Sequence, residues 1–353
     1  MKQSLFTALL TLMLAVTQNS QDPLRDAMKK RIDEAKLGTG TVVGLLNPEG
    51  RSFASYGCVS TGGKEPAADT IVETGSIGKV FTSLLLADMV ERGQVTLNDP
   101  VRKYLPPSVK IPSRGGKEIT LADLATHTSG LPRDSVPVDL TKSESPYAGY
   151  TTDQLYAFLA LYELPRDPGT KWEYSNVGMG LLGHALALKA GVNFEDLMRQ
   201  RIFEPLGMKD TGLTFNSEQH SRRAVGHNDK LVPVPYWTGG VIAAAGGFNS
   251  TAADMLAFAA AVVDPKSPMK AAFARMLTVK RAIEGTRTQQ ALGWGVFKLG
   301  NNEILAHDGG TFGFQARFIV DTTRKRAVIA WVNGRSEEPL NEIVGLALDR
   351  PKL

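Results

Sequence analysis

The chain has 353 residues, 42% of them apolar and 22% charged, with 40 basic against 36 acidic side chains and a net charge of +4. That length supports a sizeable core, in about two domains or one large domain with an insertion, and the composition excludes a disordered or fibrous protein. Its basic residues are scattered, the densest groups being Arg222-Arg223 and Arg324-Lys325-Arg326, which is a solvated, mildly basic surface and no nucleic-acid footprint.

Lys2, an apolar run from Leu5 to Val16 and the polar Gln18-Asn19-Ser20-Gln21 have the layout of a secretory signal peptide, too short to span a membrane comfortably. Residues 1–20 are therefore expected to be a leader and the protein periplasmic or secreted. Ala15-Val16-Thr17 only approximates a cleavage site, which leaves an uncleaved anchor as the alternative. Cys58 is the only cysteine, so no intrachain disulfide forms; its strand-like surroundings predict a buried, inert thiol.

A helix is expected over Asp22–Lys36, then strands at Thr41–Leu46 and Ser52–Val59 joined by the turn Asn47-Pro48-Glu49-Gly50. Ser76–Arg92 carries apolar residues at near-helical spacing and reads as a largely buried helix ended at Gly93. Helices follow at Leu121–Thr126, Thr152–Leu161, Gly178–Lys189 and Phe194–Ile202. β runs return at Gly293–Leu299, Phe314–Asp321 and Arg326–Asn333, and a last helix covers roughly Glu338–Leu348. Strands at both ends with helices between predict an α+β fold: an antiparallel sheet flanked by helices and built from both chain ends, with an inserted, mostly helical lobe. The sheet lobe would comprise residues 21–100 and 270–353 and the helical lobe 101–269, with the site in a cleft between them.

Ser76-Ile77-Gly78-Lys79 is an S-x-x-K at the start of a buried helix, a spacing that puts hydroxyl and amine on one face. A helix N-terminus disfavours a nearby ammonium, so a buried Lys79 can lose its proton and accept that of the serine. About one S-x-x-K is expected by chance in such a chain. A second does occur at Ser267-Pro268-Met269-Lys270, in a proline-flanked loop where Ser267 reads as a helix cap. Tyr174-Ser175-Asn176 supplies a phenol that shuttles protons if cationic neighbours lower its pKa, and an amide that holds a substrate carbonyl. His307-Asp308-Gly309-Gly310-Thr311 lies between two β runs, where the glycines let a substrate backbone approach closely.

Taken in this order, Ser76-x-x-Lys79, Tyr174-x-Asn176 and His307-x-Gly309 resemble the three motifs of serine β-lactamases and penicillin-recognising DD-peptidases. Thr120-Leu121 through His127-Thr128-Ser129-Gly130-Leu131, Phe203-Glu204-Pro205-Leu206-Gly207-Met208 and Ala245-Gly246-Gly247 resemble the class C and DD-carboxypeptidase branch. The resemblance implies that Ser76 is acylated, that Lys79 and Tyr174 manage protons, that Asn176 contacts the substrate amide, and that the N–H groups of Ser76 and Gly310 form the oxyanion hole. It places His307, with Gly309 and Gly310, among the substrate-binding residues. The third motif of β-lactamases usually begins with Lys, and His307 there resembles some DD-carboxypeptidases and D-amino-acid peptidases.

Glu337-Glu338-Pro339-Leu340-Asn341 looks like the deacylating motif of class A enzymes but follows the third motif, and reads as the start of the final helix. No G-x-S-x-G elbow is present, and no H-E-x-x-H. Of the five histidines, His220 and His227 read as solvated and His127 as packed or capping. No metal or cofactor is expected. The partner is a small-molecule or peptide substrate: a β-lactam, a D-alanyl peptide or, on the same scaffold, an ester. A receptor acylated without turnover is the alternative from another class. The loop Pro132–Tyr150 is expected to border the cleft.

Overall fold

The computed structural model describes residues 22–135, 145 and 147–353; the expected leader and much of the loop Pro132–Tyr150 lie outside the described residues. Asp22 caps the first helix, α1 (Pro23–Lys29), by accepting the N–H groups of Leu24 and Arg25, and the helix runs on as a π turn over Lys30–Glu34. Strands β1 (Gly40–Asn47) and β2 (Gly50–Gly57) then form a hairpin. The side chain of Asn47 accepts the N–H groups of Glu49 and Gly50, both at 3.1 Å, which closes the turn.

The chain returns to this sheet only near its other end, with β3 (Arg281–Ala282), β4 (Gln289–Gln290), β5 (Gly295–Leu299), β6 (Asn302–Gly310), β7 (Gln315–Asp321) and β8 (Arg326–Val332). The eight strands run in the order β2-β1-β8-β7-β6-β5-β4-β3. The pairing of β1 with β8, from Thr41 against Val332 to Leu46 against Ala327, is antiparallel and joins the two ends of the chain. This is the expected α+β architecture.

Strand β6 departs from the sequence reading. No β run was expected between Leu299 and Phe314, yet His307, Asp308, Gly309 and Gly310 are the last four residues of a nine-residue strand; they pair with β7, whereas the β5 ladder ends at Ala306. Polar and glycine residues blur the apolar alternation there, and the ladder hydrogen bonds hold the strand instead.

Helices α2 (Gly78–Glu91), α3 (Leu121–Ala125) and α4 (Asn176–Ala190) lie around the site, while α5 (Ala252–Val263) and α6 (Asn341–Leu348) cover opposite faces of the sheet. Alternation along β1 splits the core. Val43 and Leu45 pack with Leu24 and Met28 of α1 and with Ile343 and Val344 of α6. Val42 and Leu46 face the other way, into the cluster that holds Phe81 and Leu85 of α2 and Leu256 of α5. Helix α2, buried along nearly its whole length, thus lies at the centre of the molecule.

Three local expectations need correcting. Helix α6 starts at Asn341, because the Glu338 carbonyl is taken by Arg31 and by the Gln315 amide, each at 2.8 Å, which holds Glu337–Leu340 outside the helix. His227 is fully buried, with its Nδ1 3.1 Å from the Asn333 carbonyl. Cys58 is half-buried.

Candidate active site

The segment that delivers Ser76 is tied down before it reaches the helix. Val72–Glu73 pairs with Asn249–Ser250, and Thr74 donates both its N–H (3.0 Å) and its hydroxyl (2.8 Å) to the Phe248 carbonyl. A single 3-10 turn, Gly75–Ile77, carries the serine, and the α-helix proper begins at Gly78. This turn is wedged against the end of β6. A Cβ on Gly309 would lie 1.9 Å from the Thr74 carbonyl oxygen, and one on Gly75, at φ +51°, would lie 2.6 Å from the Gly310 nitrogen. Only glycine allows the two backbones to come this close.

Lys79 Nζ lies 3.0 Å from Ser76 Oγ and also donates to the Ala245 carbonyl. The lysine is fully buried. Burial first, and the nearby Arg133 charge second, hold its pKa well below the usual lysine range. The sequence reading had credited the helix terminus.

On the other side of Ser76 stands the Tyr174 phenol, near enough for the serine hydroxyl to lower its pKa. The Tyr174 ring is surrounded by Lys79 Nζ at 4.8 Å, the Arg133 guanidinium at 5.0 Å and the His127 ring at 4.5 Å between centroids. The Arg133 charge does lower its pKa, as does the Ser76 hydroxyl, but burial dominates and pushes it up to about 12. Tyr174 is a phenol, not a phenolate, at neutral pH.

Ser175 caps α4 by accepting the Gly178 N–H at 2.8 Å, which makes Asn176 the first helical residue. The Asn176 amide donates to Asp134 at 2.8 Å, and its backbone N–H donates to the Arg133 carbonyl at 2.8 Å. His307 lies in β6 with Nδ1 2.7 Å from the Asp308 carbonyl. A carbonyl only accepts, so Nδ1 carries the proton and Nε2 keeps its lone pair. Burial and Lys79 bring the His307 pKa down to about 4, so the ring is neutral at pH 7.

Ser76, Tyr174, Asn176, His307, Gly309 and Gly310 all line one cleft of about 930 Å³, with Lys79 beneath Ser76. Ser267 accepts the Met269 N–H, and its partner Lys270 is exposed; neither lines the cleft. Among the described residues no group of His, Cys, Asp or Glu is arranged to hold a metal ion, and no helix is long and apolar enough to cross a membrane.

The family model for beta-lactamase matches residues 24–348, nearly the whole chain. The chain belongs to the beta-lactamase family. Among curated members it is 34% identical over 225 residues to the D-alanyl-D-alanine-carboxypeptidase/endopeptidase AmpH of Escherichia coli, a match covering 62% of this chain and 56% of that relative. The match thus spans little more than half of AmpH. It is 27% identical over 342 residues to a beta-lactamase of Yersinia enterocolitica, covering 90% of this chain and 83% of that one. Among solved structures, a beta-lactamase/D-alanine carboxypeptidase of Yersinia pestis superposes with a TM-score of 0.79 at 26% identity, covering 93% of this chain and 96% of that chain. A class C beta-lactamase of Rhodobacter sphaeroides gives 0.79 at 27% identity, covering 93% and 98%.

Within this family member, sequence reasoning missed several residues at the cleft. Arg133 and Asp134 fall in the loop Pro132–Tyr150 that was expected to border the cleft, though neither was singled out, and Trp172 is two residues before Tyr174; their closeness to the motifs was the available signal. Trp237 and Phe312, whose ring centroids lie 5.1 Å apart, form an aromatic wall of the cleft that no sequence pattern announces. Glu73, buried three residues before the nucleophile, accepts the Trp237 N–H at 2.6 Å and fixes that wall. The Glu337–Leu340 stretch, expected inside the last helix, also contributes Glu337, Pro339 and Leu340 to the cleft rim.

Proposed function

We propose that this protein is a serine hydrolase that forms an acyl-enzyme on Ser76 and opens the amide of β-lactams or D-alanyl peptides. The observation that carries this reading is one hydroxyl, Ser76 Oγ, with the Lys79 amine at 3.0 Å and the Tyr174 phenol beside it, at the base of an open cleft. Ser76 Oγ attacks the amide carbon while its proton passes to neutral Lys79. The oxygen of the tetrahedral intermediate turns to the N–H groups of Ser76 and Gly310, each such donor contributing about 2.7–4 kcal/mol. Tyr174, still a phenol, donates its proton to the departing nitrogen as the C–N bond breaks and is reprotonated from the Lys79 ammonium. Water, activated by the same pair, then hydrolyses the ester.

Asn176 positions the substrate amide in this reading. His307 meets substrate through the Nε2 lone pair or as a polar wall, because a neutral ring offers no fixed charge to a carboxylate. Relatives named for carboxypeptidase and for beta-lactamase action support both amide classes. We further read residues 1–20 as an export signal for a periplasmic or secreted enzyme, and residues 101–269 as a lobe inserted between 21–100 and 270–353.

Time-resolved intact-protein mass spectrometry with a chromogenic cephalosporin tests the proposal, on wild type and Ser76→Ala. Rapid colour with a transient adduct is expected of a turning-over β-lactamase, and a long-lived adduct on Ser76 of a peptidase or receptor. If D-alanyl peptide cleavage and the adduct are both absent in wild type, the amide reading fails and short-chain esters become the substrate class.

A further inference from the structure

Helix α3 ends in a Schellman turn: the Thr128 N–H donates to the Asp123 carbonyl at 2.8 Å, and His127 occupies the left-handed position with φ +57°. Glycine or asparagine takes that position with least strain. A fully buried histidine stands there instead, and its contacts converge on a single neighbour. The His127 carbonyl accepts the Glu173 N–H at 2.7 Å, and its Nδ1 accepts the Ser175 N–H at 3.2 Å. The backbone N–H groups of both residues flanking Tyr174 are therefore held by one residue. The imidazole also lies against the Tyr174 ring, 4.5 Å between centroids and tilted by 35°.

We infer that His127 is a positioning residue for Tyr174, clamping its backbone from both sides and backing its ring so that the phenol stays on Ser76. The inference rests on the hydrolase reading above. Because Nδ1 accepts, the proton is on Nε2, and that atom is buried with no hydrogen-bond partner among the described residues. The ring is thus placed by Ser175 and by the Tyr174 face. Burial above all, with the Arg133 charge and the titratable Lys79 and His307 beside it, holds its pKa well below the usual histidine range, so it adds no further charge beside the phenol.

Two substitutions separate the clamp from the ring. His127→Asn suits the left-handed backbone and offers an oxygen to the Ser175 N–H, but leaves the Tyr174 face unsupported. His127→Gly suits the backbone and removes both contacts. Each is made in the wild-type and Tyr174→Phe backgrounds, and Ser76 acylation by a chromogenic cephalosporin is followed by intact mass. With Tyr174 present, acylation is expected to slow by about 10- to 100-fold in His127→Gly, with KM little changed and a partial recovery in His127→Asn. In the Tyr174→Phe background neither substitution should slow it further, since the residue through which His127 acts is gone. A folded His127→Gly variant that acylates at the wild-type rate overturns the inference, and so do equal losses in both backgrounds. Wild type that forms no adduct, releases no colour and cleaves no D-alanyl peptide sinks the amide-hydrolase reading and the inference with it, a result distinct from either.

Discussion

Lys79 has to be buried and free of its extra proton for the proposed chemistry to run, and its surroundings bury it and disfavour the ammonium at once. Desolvation and the Arg133 charge disfavour the ammonium, while Ser76 and the Ala245 carbonyl fix the amine in place. Acylation should therefore fall as pH drops through the lowered Lys79 value, where the amine gains its proton and no longer accepts that of serine. Tyr174, near 12, leaves the rate level well into the alkaline range. Replacing Arg133 with Gln removes a positive neighbour, so the Lys79 pKa rises and the acid limb of kcat/KM should move to higher pH; coincident profiles would rule Arg133 out as its cause. Ser76→Ala should abolish the covalent adduct, and Lys79→Ala should slow acylation by about 10²- to 10⁴-fold. Ser267→Ala, the matching change in the second S-x-x-K, should alter nothing in the same assay. All three motif residues were readable, because each sits at a helix start or beside glycines. The direction of the Tyr174 shift was not, since it depends on how deeply the fold buries the phenol.

At the level of elements, the site is a contact between the Thr74–Ser76 turn and the end of β6. Gly309→Ala would drive a methyl into the Thr74 carbonyl oxygen, a collision of backbone with backbone that no rotamer relieves. It should lower stability by about 1–3 kcal/mol and slow acylation about 10²-fold by displacing the turn, measured by urea unfolding and adduct formation. Gly310→Ala, whose methyl would meet nothing within 4 Å, should unfold at the wild-type urea concentration. Most helices were legible from their caps: Thr151 with Gln154 forms a capping box, and Ser175 caps α4. Strand β6 was not, because its last four residues are two polar groups and two glycines, and their hairpin pairing with β7 overrides their weak local preference.

For the whole molecule, Asn333 shows how the two chain ends are joined. Its side-chain oxygen accepts the Thr39 and Gly40 N–H groups at 3.1 and 2.7 Å, and its amide nitrogen lies 3.0 Å from the Val59 carbonyl and 3.1 Å from that of Val225. Asn333→Ala would strand several of these buried groups at about 1–3 kcal/mol each, so a loss of roughly 2–5 kcal/mol is expected from urea unfolding. The two-ended sheet was readable from the placement of β runs, whereas the meeting of Arg133, His127 and Tyr174 was not, because it depends on how α3 and α4 pack. The pairing of β1 with β8 also sets an order of events for a chain leaving the ribosome. About 290 residues separate β1 from the strand that covers its inner edge, by the positions of Thr41 and Val332. Until that last strand has been made, α2 and its serine have no finished sheet to pack on, so the active site is among the final things the nascent chain completes.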